Sequence, residues 1–248
     1  MKPIGTVLDW NPGLADAPRP APHPSQRKPR DAATIILLDR SGPEPKILLG
    51  QRHPGLAFMP GVYVFPGGRV EASDGRAPAV GALPAHVERR LMTAIARPSV
   101  TRARAYALAA IRELAEETGL LLGEHSDVVP TAPDWKDFGE NGIAPSLSDI
   151  WLVARSITPP GLPRRFDTRF FAADASRVIH MIDGLVHDDA ELVDLKWVTI
   201  AETVDMPLHQ ITRVILSELD QRIHAGIDRD IPVPFLRPRN GVIVRDEI

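Results

Sequence analysis

The stretch Arg112-Glu113-Leu114-Ala115-Glu116-Glu117-Thr118-Gly119-Leu120 decides how the rest of the chain is interpreted. On a helix, Glu113, Glu116 and Glu117 project from one face within a single turn, because successive residues are about 100° apart. The opposite face is apolar, which suits packing against a sheet. Thr101 is predicted to cap the start of this helix, and Gly119 is predicted to stop it.

Three neighbouring carboxylates repel one another and destabilise an isolated helix. Mg²⁺ or Mn²⁺ removes that penalty, because both ions prefer oxygen ligands. Arg112 can pair with one carboxylate and fix its orientation. The alternative interpretation is a solvated acidic helix face without a ligand. Taken alone, E-x-x-E-E belongs more often to such a face, but the whole pattern from Arg112 to Leu120 is much rarer by chance.

Composition excludes several classes of protein. The chain has 248 residues with a formal charge of −3, so nothing draws it strongly to nucleic acid or to an anionic membrane. It has no cysteine, which excludes disulfides, thiolate zinc sites and cysteine nucleophiles. The N-terminus is a poor signal peptide and no apolar run is long enough to span a bilayer, so we expect a cytoplasmic protein that binds neither nucleic acid nor membrane.

Proline is frequent, with 25 residues, and seven of them lie among the first thirty. Because proline disfavours helix and lacks a backbone N–H, residues 11–30 are predicted to form an extended arm or linker. Strands follow at 32–38 and 46–49 and alternate further on with helices at about 79–96, 101–118 and 208–224. Further strands are predicted at 150–157, 169–172, 178–182 and 192–198. This order predicts an α/β or α+β fold with a mixed sheet between helices.

The glutamate stretch resembles the second half of the Nudix box, G-x5-E-x7-R-E-U-x-E-E-x-G-U, in which U is aliphatic. The first half is recognisable from Gly68 to Asp74 and follows Phe65-Pro66-Gly67. Asp74 stands where the family usually has glutamate. Thirty-seven residues, 75–111, separate it from Arg112 where seven are usual.

A box interrupted in this way resembles the branch that contains peroxisomal coenzyme A diphosphatases and their bacterial relatives. That branch also tends to show runs like Met59–Gly68 and Arg165–Phe171 of this chain. The resemblance implies the Nudix fold in one domain over residues 31–226, with an insertion at about 75–100. We expect a proline-rich arm over residues 1–30 and an irregular tail over 227–248. The helix in the insertion could cover the site, form a dimer contact or simply pack on the sheet.

The resemblance also implies the roles of individual residues. Metal ligands would be the side chains of Glu113, Glu116 and Glu117, with the backbone carbonyl of Gly68 as a further one. Glu113 is also a candidate general base for the attacking water, and Asp74 matches a position that often pairs with Arg112. Some members take their base from a distal loop instead, where the candidates are Asp188, Asp189 and Glu191.

The implied reaction is metal-assisted attack of water on phosphorus, which splits X-diphosphate-Y into two monophosphates. Coenzyme A or acyl-coenzyme A is the favoured substrate, with Arg52, Gly67 and Phe171 as candidate substrate contacts. Alternatives are ADP-ribose or a nucleoside diphosphate sugar as the substrate, or a non-catalytic Nudix-fold metabolite sensor. A homodimer is one option for the assembly.

Overall fold

The computed structural model describes the backbone of residues 6–8 and all of residues 28–162 and 164–248. The strands are β1 (Thr6–Leu8), β2 (Arg30–Asp39), β3 (Lys46–Arg52), β4 (Tyr63–Val64), β5 (Gly67–Arg69), β6 (Leu120–His125), β7 (Ile143–Pro145), β8 (Trp151–Ile157), β9 (Phe166–Asp174), β10 (Val178–Met181), β11 (Leu192–Thr199), β12 (Pro234–Arg239) and β13 (Val242–Glu247). The α-helices are α1 (Ala85–Leu91), α2 (Val100–Thr118), α3 (Lys136–Glu140) and α4 (Gln210–Ala225). None of these helices is long and apolar enough to cross a membrane.

The main sheet has ten strands and runs in the order β1-β13-β12-β8-β9-β2-β3-β11, with β4 beside β3 and β5 beside β2. The pairs β2–β9 and β12–β8 are parallel, whereas the other pairs are antiparallel. A smaller sheet has the order β10-β6-β7. The prediction of a mixed sheet is therefore confirmed.

Strand β2 shows how helices come to cover both faces of this sheet. Successive side chains of a strand point to opposite faces of the sheet. Because residues 35–38 are all apolar, both faces of β2 are apolar and both must be covered. Ile35 and Leu37 pack in the cluster that contains α2, whereas Ile36 and Leu38 pack in the cluster that contains α4. The sheet is thus sandwiched between helices, as predicted.

Helix α2 begins at Val100, two residues before the start that a cap at Thr101 predicts. Its N-cap is Ser99 and not Thr101, since the Ser99 hydroxyl accepts a hydrogen bond from the backbone N–H of Arg102 at 3.2 Å. Gly119 ends the helix in the left-handed conformation with φ of 78°, as its position predicts.

The predicted irregular tail at 227–248 is wrong. Residues from 234 onward form the hairpin β12–β13, which extends the main sheet beside β8. Phe235, Leu236 and Ile243 are buried in it. The predicted extended arm, residues 11–30, lies largely outside the described residues, and Arg30 already belongs to β2.

The insertion packs as part of the domain. Its helix α1 is shorter than predicted and buries Val87 and Leu91 in the cluster that contains α2. Arg155 of β8 donates hydrogen bonds to the backbone oxygens of Thr93 and Ala94, which ties the end of the insertion to the sheet. Of the three options for the insertion, packing within the fold is the one that these contacts support.

Candidate functional site

The last two turns of α2 carry the three predicted metal ligands. Glu113 and Glu117 line a cavity beside the sheet, and Glu116 lies on the helix surface next to Arg112. The apolar side of the same helix, including Leu114 and Ala115, is buried against the core. Helix packing therefore fixes the direction in which the carboxylates point.

Arg112 is buried and holds several carboxylates together. Its Nε donates to Asp74 at 2.8 Å, and its Nη1 donates to Glu113 at 2.9 Å and to Glu116 at 2.7 Å. Its Nη2 donates to the carbonyl of Arg69 at 2.8 Å. The shorter side chain of Asp74 thus reaches Arg112, as the resemblance implies.

Burial changes the pKa values of the charged side chains in this cluster. Burial raises the pKa of Glu113 to about 7, against the opposing effect of Arg112. Burial also raises the pKa of Glu116, and it raises that of Glu117 well above its usual range. Burial alone would lower the pKa of Arg112, but its hydrogen bond to Asp74 raises it above normal. A divalent cation would stabilise the charged carboxylates.

Gly67 and Gly68 allow strand β5 to approach α2 closely. The N–H of Gly67 donates to Glu117 at 2.9 Å. A Cβ on Gly68 would lie 2.5 Å from the carboxylate oxygens of Glu113. A side chain at this position would push the Glu113 carboxylate aside, and the carbonyl of Gly68 remains a candidate ligand near Glu113.

The donor set suits a hard cation such as Mg²⁺ or Mn²⁺, since it consists of carboxylates and a backbone carbonyl. In the described part of the chain, however, no three acidic or histidine side chains converge on one point. Arg112 occupies oxygens of Glu113 and Glu116, and Gly67 occupies one of Glu117. Each of these bonds engages one oxygen of its carboxylate, so metal binding requires the side chains to turn toward a common point.

The cavity next to Glu113 and Glu117 has a volume of about 480 Å³. Its charged and glycine lining includes Arg52, Gly67, Gly68, Arg69, Arg164 and Glu191. Its apolar lining includes Phe58, Phe65, Ile157, Phe166, Phe170, Leu236 and Ile243. Phe58 and Phe166 meet edge to face at 6.4 Å between ring centroids. The lining thus combines the carboxylates of Glu113 and Glu117 with an apolar wall.

Two of the three predicted substrate contacts line the cavity and the third does not. Arg52 and Gly67 line the cavity, whereas Phe171 is 0% exposed and packs in the core. Phe171 is therefore wrong as a substrate contact, and its neighbour Phe170 lines the cavity instead. Of the distal-loop candidates, Glu191 lines the cavity and accepts a hydrogen bond from Arg52 at 2.8 Å. Asp188 and Asp189 are exposed and are not among its lining residues.

Sequence reasoning missed the wall that the C-terminal region contributes. Leu236 and Ile243 come from the hairpin β12–β13, and Ile211 and Thr212 come from the start of α4. The available signal was Asn240-Gly241, a pair typical of two-residue hairpin turns, but the prolines of this segment obscured it.

The Arg165–Phe171 run builds the support of the cavity. Asp167 accepts two hydrogen bonds from Arg155, at 2.8 and 2.7 Å, which joins β9 to β8. Arg169 is 1% exposed and donates to Asp31 of β2 at 2.7 Å. These ion pairs connect three adjacent strands, so Asp167 and Arg169 have structural roles.

The fold of this chain is similar to known Nudix structures, although no protein-family model and no curated protein matches its sequence. A Nudix hydrolase from Alicyclobacillus acidocaldarius has a TM-score of 0.56 and 25% identity, over 78% of this chain and 91% of that chain. The Nudix domain of Shewanella oneidensis NrtR, complexed with ADP-ribose, has a TM-score of 0.44 and 16% identity, over 79% and 90% of the two chains. The Nudix hydrolase RenU from M. smegmatis has a TM-score of 0.40 and 17% identity, over 79% and 88%. The first similarity confirms the predicted fold and supports a hydrolase of the diphosphatase type.

Proposed function

We propose that this chain, which has the Nudix hydrolase fold, is a divalent-metal-dependent pyrophosphohydrolase that splits X-diphosphate-Y into two monophosphates. The observation that supports this most is the meeting of Glu113 and Glu117 with Gly67, Gly68 and Arg52 in one cavity. A diphosphate needs its negative charge neutralised and an activated water molecule before it can be hydrolysed. This cavity holds side chains suited to both tasks.

In this proposal Glu113, Glu116, Glu117 and the carbonyl of Gly68 hold Mg²⁺ or Mn²⁺. The ion would neutralise the phosphate oxygens and favour the deprotonated form of a bound water. Arg112 does not contact the substrate in this proposal; its ion pairs orient the side chains of Glu113 and Glu116. Arg52 offers its guanidinium to a phosphate of the substrate, for which its fork of donors is well matched.

Glu113 is the proposed general base. This role rests on the resemblance of the sequence to the family, and the Glu113 side chain lies on the lining of the cavity. Its position next to the backbone of Gly68 directs its carboxylate toward the cavity that would hold the diphosphate.

We propose coenzyme A or acyl-coenzyme A as the substrate, which rests on the resemblance of the sequence to that branch of the family. The apolar lining around Phe58, Phe166 and Leu236 supports a substrate whose second half is a large, weakly polar group. ADP-ribose or a nucleoside diphosphate sugar is the alternative substrate class.

A substrate panel tests this proposal. We expect Mg²⁺- or Mn²⁺-dependent release of monophosphate from coenzyme A compounds, measured by chromatography of the products. Strong turnover of ADP-ribose without turnover of coenzyme A compounds would assign the enzyme to the alternative class. Binding of these compounds without any turnover would support a metabolite sensor and contradict the enzyme.

A further inference from the structure

The ion pair between Arg52 and Glu191 joins the cavity to a distant part of the chain. Arg52 ends β3, and Glu191 lies immediately before β11, which pairs with β3 at the edge of the main sheet. The residues are 139 positions apart in sequence, and their side chains meet at 2.8 Å between Nη1 and Oε1. Both side chains line the cavity that contains Glu113 and Glu117.

We infer that Glu191 is a positioning residue that holds the Arg52 guanidinium in place for a substrate phosphate, and is not the base that activates water. The inference rests on the proposed function, since it concerns the same cavity. It assigns to Glu191 a role different from the distal base that the family resemblance offers.

The contacts of Arg52 fix its guanidinium on two sides. Its Nε donates to the carbonyl of Phe58 at 3.1 Å, and its Nη1 donates to Glu191. Its side chain is only 13% exposed, so it has little freedom to turn away. A guanidinium carries five N–H donors, and these two bonds leave donors on Nη1 and Nη2 for a phosphate.

The contacts of Glu191 suit an anchor for Arg52. Its Oε1 accepts a charge-assisted hydrogen bond from the Arg52 guanidinium, and bonds of this kind are stronger than neutral ones. Its backbone is fixed separately, because its carbonyl accepts the N–H of His53 at 2.9 Å. Replacing the side chain should therefore leave the backbone of the loop in place.

Arg52 needs a fixed partner because several acidic side chains surround it. Glu113, Glu117 and Glu191 all line the cavity, and an unanchored cation would be free to pair with any of them. The ion pair with Glu191 keeps Arg52 beside the site. Arg52 then does not pair with Glu113 or Glu117, the carboxylates that are proposed to bind metal. Its guanidinium is thus already oriented before a diphosphate arrives, which saves ordering entropy on binding.

Steady-state kinetics of Glu191→Ala and Glu191→Gln test the inference. We expect the alanine variant to raise KM about 10-fold or more, because one charge-assisted hydrogen bond that orients Arg52 is lost. The glutamine variant should recover much of that loss, because its amide oxygen still accepts from Arg52. Both should keep kcat within about threefold and retain the pH profile of kcat. A fall in kcat of about 100-fold or more in Glu191→Gln would show that Glu191 is the base and overturn the inference.

Two comparisons complete the test. In an Arg52→Met background, Glu191→Ala should change KM by less than about twofold, because methionine carries no donor and the two substitutions remove the same interaction. Asp183→Asn, an exposed position in the same loop, is the matched control for changes of surface charge. Equal effects of Glu191→Ala in both backgrounds would contradict the positioning role.

Binding of inorganic pyrophosphate in the presence of Mg²⁺, measured by calorimetry, separates this inference from the proposed function. If the wild type hydrolyses no diphosphate, the proposed function fails. The inference then still predicts that Glu191→Ala weakens pyrophosphate binding about 10-fold. An unchanged dissociation constant would overturn it.

Discussion

At the scale of single residues, the contact between Arg112 and Asp74 ties the interrupted motif together. Arg112 is 3% exposed and Asp74 is 0% exposed, and the two side chains share two hydrogen bonds. A buried charge that loses its partner is costly, because the remaining charge is neither solvated nor paired. The pair therefore supports both the fold and the orientation of Glu113 and Glu116.

Asp74→Asn should lower the free energy of unfolding by about 1–3 kcal/mol, since it removes one counter-charge from the buried Arg112 while Glu113 and Glu116 remain paired with it. Denaturant unfolding measures this loss. The matched control is Asp230→Asn, whose ion pairs with Arg89 and Arg90 are at the surface and should cost less than about 1 kcal/mol. Equal small losses in both variants would contradict the importance of the buried pair.

Stabilisation by metal should depend on pH through Glu113. Its pKa is raised to about 7 in the folded protein, so without metal the folded state holds this proton more tightly than the unfolded chain does. That contribution to stability is present at low pH and is lost as pH rises through 7. Metal competes with the proton, so the increase in Tm caused by Mg²⁺ should be larger at pH 8 than at pH 6.

Calorimetry of unfolding at several pH values with and without Mg²⁺ measures this effect. Glu113→Gln is the control, because it removes the titrating carboxyl group. An increase in Tm that is the same at pH 6 and pH 8 in the wild type would show that Glu113 does not exchange a proton for metal.

At the scale of elements, helix α2 positions the site because it carries the three glutamates. The contribution of its N-cap to stability can be measured. The hydroxyl of Ser99 satisfies a backbone N–H at the start of the helix, whereas Thr101 lies inside the first turn. Ser99→Ala should therefore lower the free energy of unfolding by about 1 kcal/mol. Thr101→Ala should change it by less than about 0.5 kcal/mol, because alanine is a good helix residue. Denaturant unfolding distinguishes the two, and the reverse order would restore Thr101 as the cap.

The sequence was sufficient to predict α2, α4 and five strands of the main sheet, β2, β3, β8, β9 and β11, because their periodicity and end signals agree. It was not sufficient to choose between Phe170 and Phe171 as a cavity residue. Adjacent residues of a strand point to opposite faces, and both faces of this sheet are covered. Only the position of the strand among its neighbours decides which of the two reaches the cavity.

At the scale of the whole molecule, the C-terminal hairpin completes both the sheet and the cavity. Proline argues against a strand inside a sheet, which is why sequence alone suggested an irregular tail. In the structure β12 pairs with β8 only at Phe235 and Leu236, between Pro234 and Pro238. The missing N–H groups of the prolines therefore fall outside that short parallel pairing.

Ile243→Ala should lower the free energy of unfolding by about 2–4 kcal/mol, because Ile243 is 6% exposed and packs in the cluster that contains α4. Val242→Ala on the same strand should cost less than about 0.5 kcal/mol, since Val242 is 43% exposed. Thermal or denaturant unfolding compares them. Equal, negligible changes would mean that the hairpin is not part of the folded domain.

The account depends most on the claim that the α2 glutamates support metal-dependent hydrolysis of a diphosphate. The most direct measurement is the rate of monophosphate release, with Mg²⁺ or Mn²⁺, by the wild type and by Glu117→Gln. The glutamine oxygen can still accept the N–H of Gly67, so the fold is preserved while the charge is lost. Glu140→Gln, on the exposed surface of α3, is the control. We predict a loss of about 100-fold or more in kcat for Glu117→Gln and none for the control. Metal-dependent hydrolysis that survives unchanged in Glu117→Gln would contradict the proposed site.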